Sequence, residues 1–208
     1  MNKENIWSSV KAIFSWLIIP LALMLILRYY IVEPFYVVGS SMEVNYHDGD
    51  YLLVDRLSYA FSKPQRGDVV VFHYPLEPDR DYIKRIIGLP GEKVSVKDGR
   101  VSINGRVVEE SYIPDYMSTV GNIDTEVPQN EYFVLGDNRN PNGSSDSREW
   151  GTVPQEVVAA DDSPIGLFYR YILGRDRAVK TKTIIGKAAL RIYPLNTLEI
   201  TKRPKYPL

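Results

Sequence analysis

The stretch KVSVKDGRVSINGRVV, Lys93–Val108, decides the fold class. Val94, Val96, Val101 and Ile103 alternate with polar residues, the period of two that a half-buried strand shows. Asp98-Gly99 and Asn104-Gly105 interrupt that alternation with dipeptides suited to the positive φ of tight turns, so two successive hairpins are predicted. Outward from this stretch the same chemistry recurs in short segments bounded by Gly, Pro, Asp or Asn. They are YLLV at 51–54, DVVVF at 68–72, YIKRII at 82–87 and EYFVLG at 131–136. TIIGKAALRIYPL at 183–195 reads as a closing strand. Residues 111–130 contain two Pro and one Gly and read as an excursion from the main sheet. No long amphipathic helical period appears beyond the N-terminal region, which makes the body mainly β.

The N-terminal region is of another kind. Ala12–Leu27 is 16 residues without a charge, and Arg28-Tyr29-Tyr30-Ile31-Val32 extends it to the length of about 20 that crosses a bilayer. Arg28 can snorkel, and the two tyrosines suit an interface. The alternative is a cleaved signal peptide ending near Val37-Val38-Gly39, but its apolar core would be only about 7 to 15 residues long. A transmembrane helix within residues 1–32 is therefore predicted. Lys3 and Lys11 place its tip in the cytoplasm and the body, 33–208, on the other side.

The net charge of −1 hides an uneven distribution. Residues 1–32 carry three basic and one acidic side chain (+2), residues 33–164 carry 12 and 23 (−11), and residues 165–208 carry 10 and 2 (+8), which together give −1. An acidic body argues against nucleic acid as a partner, whereas a basic end suits an anionic lipid surface. The chain has no Cys and only His47 and His73, so thiol catalysis and thiolate metal sites are excluded and no metal or cofactor is expected.

Val37–Asp55 places Ser40, Ser41 and Met42 in a Gly-led turn before the YLLV strand. A serine hydroxyl is a poor nucleophile until a base takes its proton. Neither histidine has the context of a familiar triad, and the best base is a lysine in apolar surroundings, where burial disfavours the ammonium. Lys84 is the candidate. It shares a strand face with Tyr82 and Ile86, while Ile83, Arg85 and Ile87 lie on the other, so alternation alone does not say which charge points inward.

Singly, Gly-Ser-Ser is an ordinary turn, YIKR an ordinary strand and a DNR/DSR loop an ordinary ion-paired corner. Their order is more specific. An apolar run is followed by Ser41-Met42, Gly67-Asp68-Val69-Val70-Val71-Phe72, Tyr82-Ile83-Lys84-Arg85-Ile86-Ile87-Gly88-Leu89-Pro90-Gly91-Glu92, Gly136-Asp137-Asn138-Arg139 and Ser144-Ser145-Asp146-Ser147-Arg148. This series resembles the type I signal peptidases over nearly the whole chain. The resemblance implies a membrane-bound Ser/Lys endopeptidase that removes signal peptides from exported preproteins, working at the lipid bilayer beside the protein-export channel, in the plasma membrane with the catalytic domain outside. Ser41 matches the nucleophile and Lys84 the general base. Ser144 matches the hydroxyl that helps orient the lysine, and Asp146 and Arg148 the pair that holds the supporting loop. Gly39 falls where some members place a serine for the oxyanion hole, which leaves backbone N–H groups, that of Ser41 included. The implied fold is a β catalytic domain with 93–130 as a smaller β extension and 157–183 as an inserted segment.

Three departures accompany the resemblance. Glu43-Val44-Asn45 stands where the family usually has one residue and then Pro-Thr, Asn140-Pro141-Asn142-Gly143 lengthens the loop before Ser144, and Val157–Thr183 is inserted before the closing strand. The first supports an alternative, a catalytically weak or inactive relative that binds exported chains. A self-cleaving Ser/Lys regulator of the repressor type is a third possibility, but it should begin with a DNA-binding helical domain, and this chain begins with an apolar run. Within the insertion, Ile165–Lys182 joins an apolar run to Arg175, Arg177, Lys180 and Lys182, a composition expected to touch a membrane.

Overall fold

The computed structural model describes residues 14–24, 31–160 and 178–207. In chain order its strands are β1 (Val32–Tyr36), β2 (Tyr51–Asp55), β3 (Val69–Tyr74), β4 (Glu77–Gly88), β5 (Lys93–Lys97), β6 (Arg100–Ile103) and β7 (Arg106–Val107). They continue with β8 (Ile123–Glu126), β9 (Glu131–Leu135), β10 (Val153–Pro154), β11 (Glu156–Ala160), β12 (Ala178–Lys182), β13 (Ile184–Tyr193) and β14 (Glu199–Ile200). Helix is confined to residues 14–24 (α1), Ser58–Phe61 (α2) and Ser147–Trp150 (α3), apart from one short 3-10 turn, among the described residues.

The main sheet runs β1-β2-β13-β3-β4-β9-β10, with β14 on β13. Strand β13 does more than close an edge: it lies between β2 and β3 and pairs with both, so the C-terminal chain holds the sheet's centre. Gly186 permits this, because a Cβ there would collide with the Asp55 carbonyl and the Val54 side chain. Both faces of β3 and β4 are covered. Val69, Val71 and Ile83 belong to one apolar cluster with Met42, Leu52 and Val54, and Val70, Phe72 and Ile86 to another with Tyr132 and Val134. Burial on both sides is why DVVVF is a continuous apolar run instead of an alternating one.

The second sheet, β7-β6-β5-β8, packs Val94, Val96, Val101 and Ile103 against Ile87, Phe133 and Leu135 of the first. Asp98 (φ 49°), Gly99 (75°), Asn104 (51°) and Gly105 (80°) all adopt positive φ and close the β5–β6 and β6–β7 hairpins. The 111–130 excursion is not wholly irregular, since Ile123–Glu126 returns as β8 and pairs with β5.

Strand β1 starts at Val32, the last residue of the predicted apolar run, and Pro34 is tolerated there because, among the described residues, β1 pairs with β2 alone. Helix α1 carries exposed apolar side chains, Trp16, Leu17, Leu21 and Leu23 among them. Among the described residues no helix is long and apolar enough to cross a membrane; residues 12–13 and 25–30 of the predicted span lie outside the described residues. Strands β11 and β12 form a two-stranded sheet of their own, in the region expected as an insertion from 157 to 183 and one residue before it. The expected membrane contact of Ile165–Lys182 falls outside the described residues as far as 177.

Candidate active site

Among the described residues, strand β4 pairs with β9 only from Arg85 to Gly88, which leaves that edge without a partner over its first part, Glu77–Lys84. Across from that edge lies the β1 end and the turn that follows it. Between them opens a cleft of about 520 Å³, with Phe35, Tyr36, Val38, Tyr82 and Ile83 as apolar walls and Ser41 and Lys84 on its floor. Unpaired strand edges of this kind accept an extended peptide through main-chain hydrogen bonds.

Lys84 registers opposite Val70 and Arg85 opposite Val69 in β3, so the two cations project to opposite faces of a sheet covered on both. Both are buried, each with 3% of its surface exposed. The sequence left open which charge points inward, and the answer is both. They are accommodated differently. Arg85 meets Asp137 through Nε–Oδ1 (2.8 Å) and Nη2–Oδ2 (2.5 Å), a bidentate ion pair, and stacks over Tyr112 with 4.1 Å from Cζ to the ring centroid. Lys84 has no such partner among the described residues: its Nζ donates to Ser41 Oγ (2.6 Å) and to the Ile83 carbonyl (3.0 Å), 5.2 Å from the Tyr82 ring centroid. Burial pulls its pKa down to about 8, against a weaker upward pull from Asp146 and Asp137. An amine with that acidity is neutral in an appreciable fraction of molecules near neutral pH and can accept a hydroxyl proton.

The Ser41 turn is held from behind by the loop that follows β9. Asn138 donates its N–H to the Ser41 carbonyl (3.0 Å) and its side-chain amide to the Ser40 carbonyl (2.9 Å), and Asp137 N–H points at Met42 Sδ (3.4 Å). Gly136 lies so close that a Cβ on it would strike both the Ser41 carbonyl and the Ser144 hydroxyl. Ser41 N–H donates to no described residue, whereas Gly39 N–H, at φ 90°, donates to Asp48 Oδ1 (2.7 Å).

Asp146 and Arg148 hold the loop itself. The carboxylate receives Arg148 Nε (2.7 Å) and Nη2 (2.8 Å), the Arg148 N–H at the start of α3 (3.2 Å) and the Gly136 N–H (3.1 Å). Ser144 is buried beside Gly136, and its Oγ has no hydrogen-bond partner among the described residues. Arg139 is fully buried and joins Glu110 (2.6 and 2.8 Å), Thr119 (2.6 Å) and the Gly136 carbonyl (2.7 Å), tying the 111–130 excursion to the same loop. Sequence reasoning did not single out Arg85 with Asp137, Asn138, Gly136 or Asn45 as parts of the site. The GDN tripeptide at 136–138 was the available signal.

The family described as signal peptidase, peptidase S26, matches residues 10–165. This chain belongs to that family. It is 38% identical over 162 residues to a probable signal peptidase I-1 of Synechocystis, covering 73% of this chain and 80% of the relative. It is 37% identical over 192 residues to a signal peptidase I of Leptolyngbya laminosa, covering 86% and 78%. A solved signal peptidase I from Enterococcus faecalis shares 35% identity over 45% of this chain and 92% of its own, with a TM-score of 0.39, a partial superposition that adds nothing to the assignment. The family places this chain among membrane-associated serine endopeptidases.

Proposed function

We propose that this chain removes N-terminal signal peptides from exported preproteins, with Ser41 as nucleophile and Lys84 as general base. The observation that carries the proposal is the 2.6 Å contact between Ser41 Oγ and a buried, partner-poor Lys84 Nζ on the floor of a peptide-shaped cleft. An extended substrate lies along the free edge of β4 with its scissile carbonyl over Ser41. As Ser41 Oγ bonds to that carbon, its proton passes to the neutral Lys84 amine, and Ser41 N–H donates to the oxygen on which charge develops. Collapse breaks the C–N bond, and the Lys84 ammonium returns the proton to the departing N-terminus of the mature protein. Water then attacks the acyl-enzyme, giving one proton to Lys84; the acyl C–Oγ bond breaks as Lys84 returns that proton to Ser41 Oγ, and the signal peptide leaves as a carboxylic acid that ionises in solvent.

Asp146 and Arg148 keep the supporting loop in place, and Ser144 packs the floor beside the dyad and offers a hydroxyl that can turn toward Lys84. The exposed apolar side chains of α1 support contact with lipid; the anchor is single-pass in the plasma membrane, and Lys3 and Lys11 favour a cytoplasmic N-terminus with the body outside, where lipid and the export channel deliver substrate. Residues 93–130 serve as the smaller β extension of the catalytic domain at 33–208. The test is incubation of the detergent-solubilised chain with a preprotein whose signal ends in Ala-x-Ala, followed by N-terminal sequencing of the product. Cleavage after the second alanine supports the proposal, and an uncut preprotein under conditions where the chain is folded refutes it.

A further inference from the structure

Asn45 ends the turn that begins at Ser40. Its N–H donates to the Met42 carbonyl (3.2 Å) and its carbonyl receives Arg191 Nη1 (2.8 Å). Its side-chain amide donates to Asp137 Oδ2 (2.8 Å) and to the Tyr112 carbonyl (3.2 Å). Asp137 is the same carboxylate that binds Arg85, the neighbour of Lys84 in β4. One carboxylate thus connects the turn that carries the hydroxyl to the strand that carries the amine.

Two further observations bear on how this end of the turn is held. A cavity of about 230 Å³, bordered by Asn45, Tyr46, Arg85, Tyr112 and Arg191, opens against it, so packing alone does not clamp it. Val44 has φ 98°, a conformation that a β-branched residue keeps only where its surroundings over-determine the backbone. The bonds at Asn45 supply that constraint on one side and the Met42 anchor on the other.

We propose that Asn45 is a positioning residue: by donating to Asp137 it registers the Ser41 turn against β4 and fixes the distance between Ser41 and Lys84. The inference rests on the Ser41/Lys84 assignment above. It assigns to the Asn45 amide a task that falls, in this chain, on a residue where the family usually carries threonine.

The test compares kcat and KM of the full chain on an Ala-x-Ala preprotein for wild type, Asn45→Ala, Asn45→Asp, Ser41→Ala and Lys84→Ala, with circular dichroism to confirm folding. Asn45→Asp keeps the shape but sets an acceptor against Asp137. Displacing a reacting group by about 1 Å costs on the order of 100-fold, so both Asn45 variants should lose about 10- to 100-fold in kcat. KM should stay within about twofold, since the substrate cleft is untouched, and Asn45→Asp should be at least as impaired as Asn45→Ala. Wild-type kcat in Asn45→Asp, or a loss in Asn45→Ala carried wholly by KM, overturns the proposal. If Ser41→Ala or Lys84→Ala turns over like wild type, the dyad itself fails and the positioning role fails with it. Inactive dyad variants beside fully active Asn45 variants refute the positioning role alone.

Discussion

Replacing Lys84 by methionine should make the protein inactive and more stable, and only below a definite pH. Met has nearly the shape of the lysine stem, and the site is buried, so the perturbation is the loss of a charge that the fold disfavours. A drop from the ordinary 10.5 to about 8, at about 1.4 kcal/mol per tenfold change in acidity, means the native state bears a cost of about 3 kcal/mol whenever Lys84 is protonated. Losing the hydrogen bonds to Ser41 and Ile83 takes back about 1 kcal/mol, leaving a net gain of about 2 kcal/mol for the variant. The sign follows from proton counting: between pH 8 and 10.5 the unfolded chain holds a proton that the folded chain has released, so wild-type stability rises with pH across that window. The variant lacks this rise. Thermal unfolding of both proteins in the same detergent should therefore show Lys84→Met melting roughly 4 to 8 °C higher at pH 7, with the advantage gone by about pH 10.5. An equal difference at the two pH values, or a variant less stable at pH 7, would refute the claim that burial holds the lysine near neutrality.

Three other outcomes follow from the same geometry. Processing by the wild-type enzyme should rise through a limb centred near pH 8 as Lys84 loses its proton, provided chemistry limits turnover, and a rate flat from acid to alkaline pH would contradict lysine as base. Val44→Pro, although it restores the family's usual residue, should lower the melting temperature, because proline fixes φ near −65° and this position stands at 98°. Val44→Gly should raise stability by about 1 kcal/mol by relieving the strained φ, offset in part by glycine's greater freedom when unfolded.

What could be read from the sequence was whatever depends on local pattern. The Asx-Gly dipeptides located the hairpins of the second sheet, and the β-branched runs located β2, β3, β4, β9 and β13. Strand β8 was not legible, because Ile123-Asp124-Thr125-Glu126 has one apolar residue and owes its conformation to pairing with β5. Strand β1 was obscured by its continuity with the apolar run before it. The site depended on contacts between distant segments. Arg85 and Asp137, or Asn45 and Asp137, meet only because β9 lies beside β4 and delivers its following loop to the Ser41 turn, an arrangement set by sheet order. Alternation along β4 identified two candidate cations without choosing between them, since a strand buried on both faces gives each an interior position. Val44 gave only the absence of a proline; the positive φ that makes the difference physical belongs to the folded turn.

The central claim is that Ser41 and Lys84 act as one catalytic unit, and single-turnover processing of an Ala-x-Ala preprotein by Ser41→Ala, Lys84→Ala and the double variant tests it most directly. Nucleophile and base that share one step have non-additive effects, so each single variant should abolish processing and the double should be no worse than either. Ser40→Ala, run beside them, should keep most of the activity. Full processing by Lys84→Ala, or losses that simply multiply in the double variant, would contradict the account.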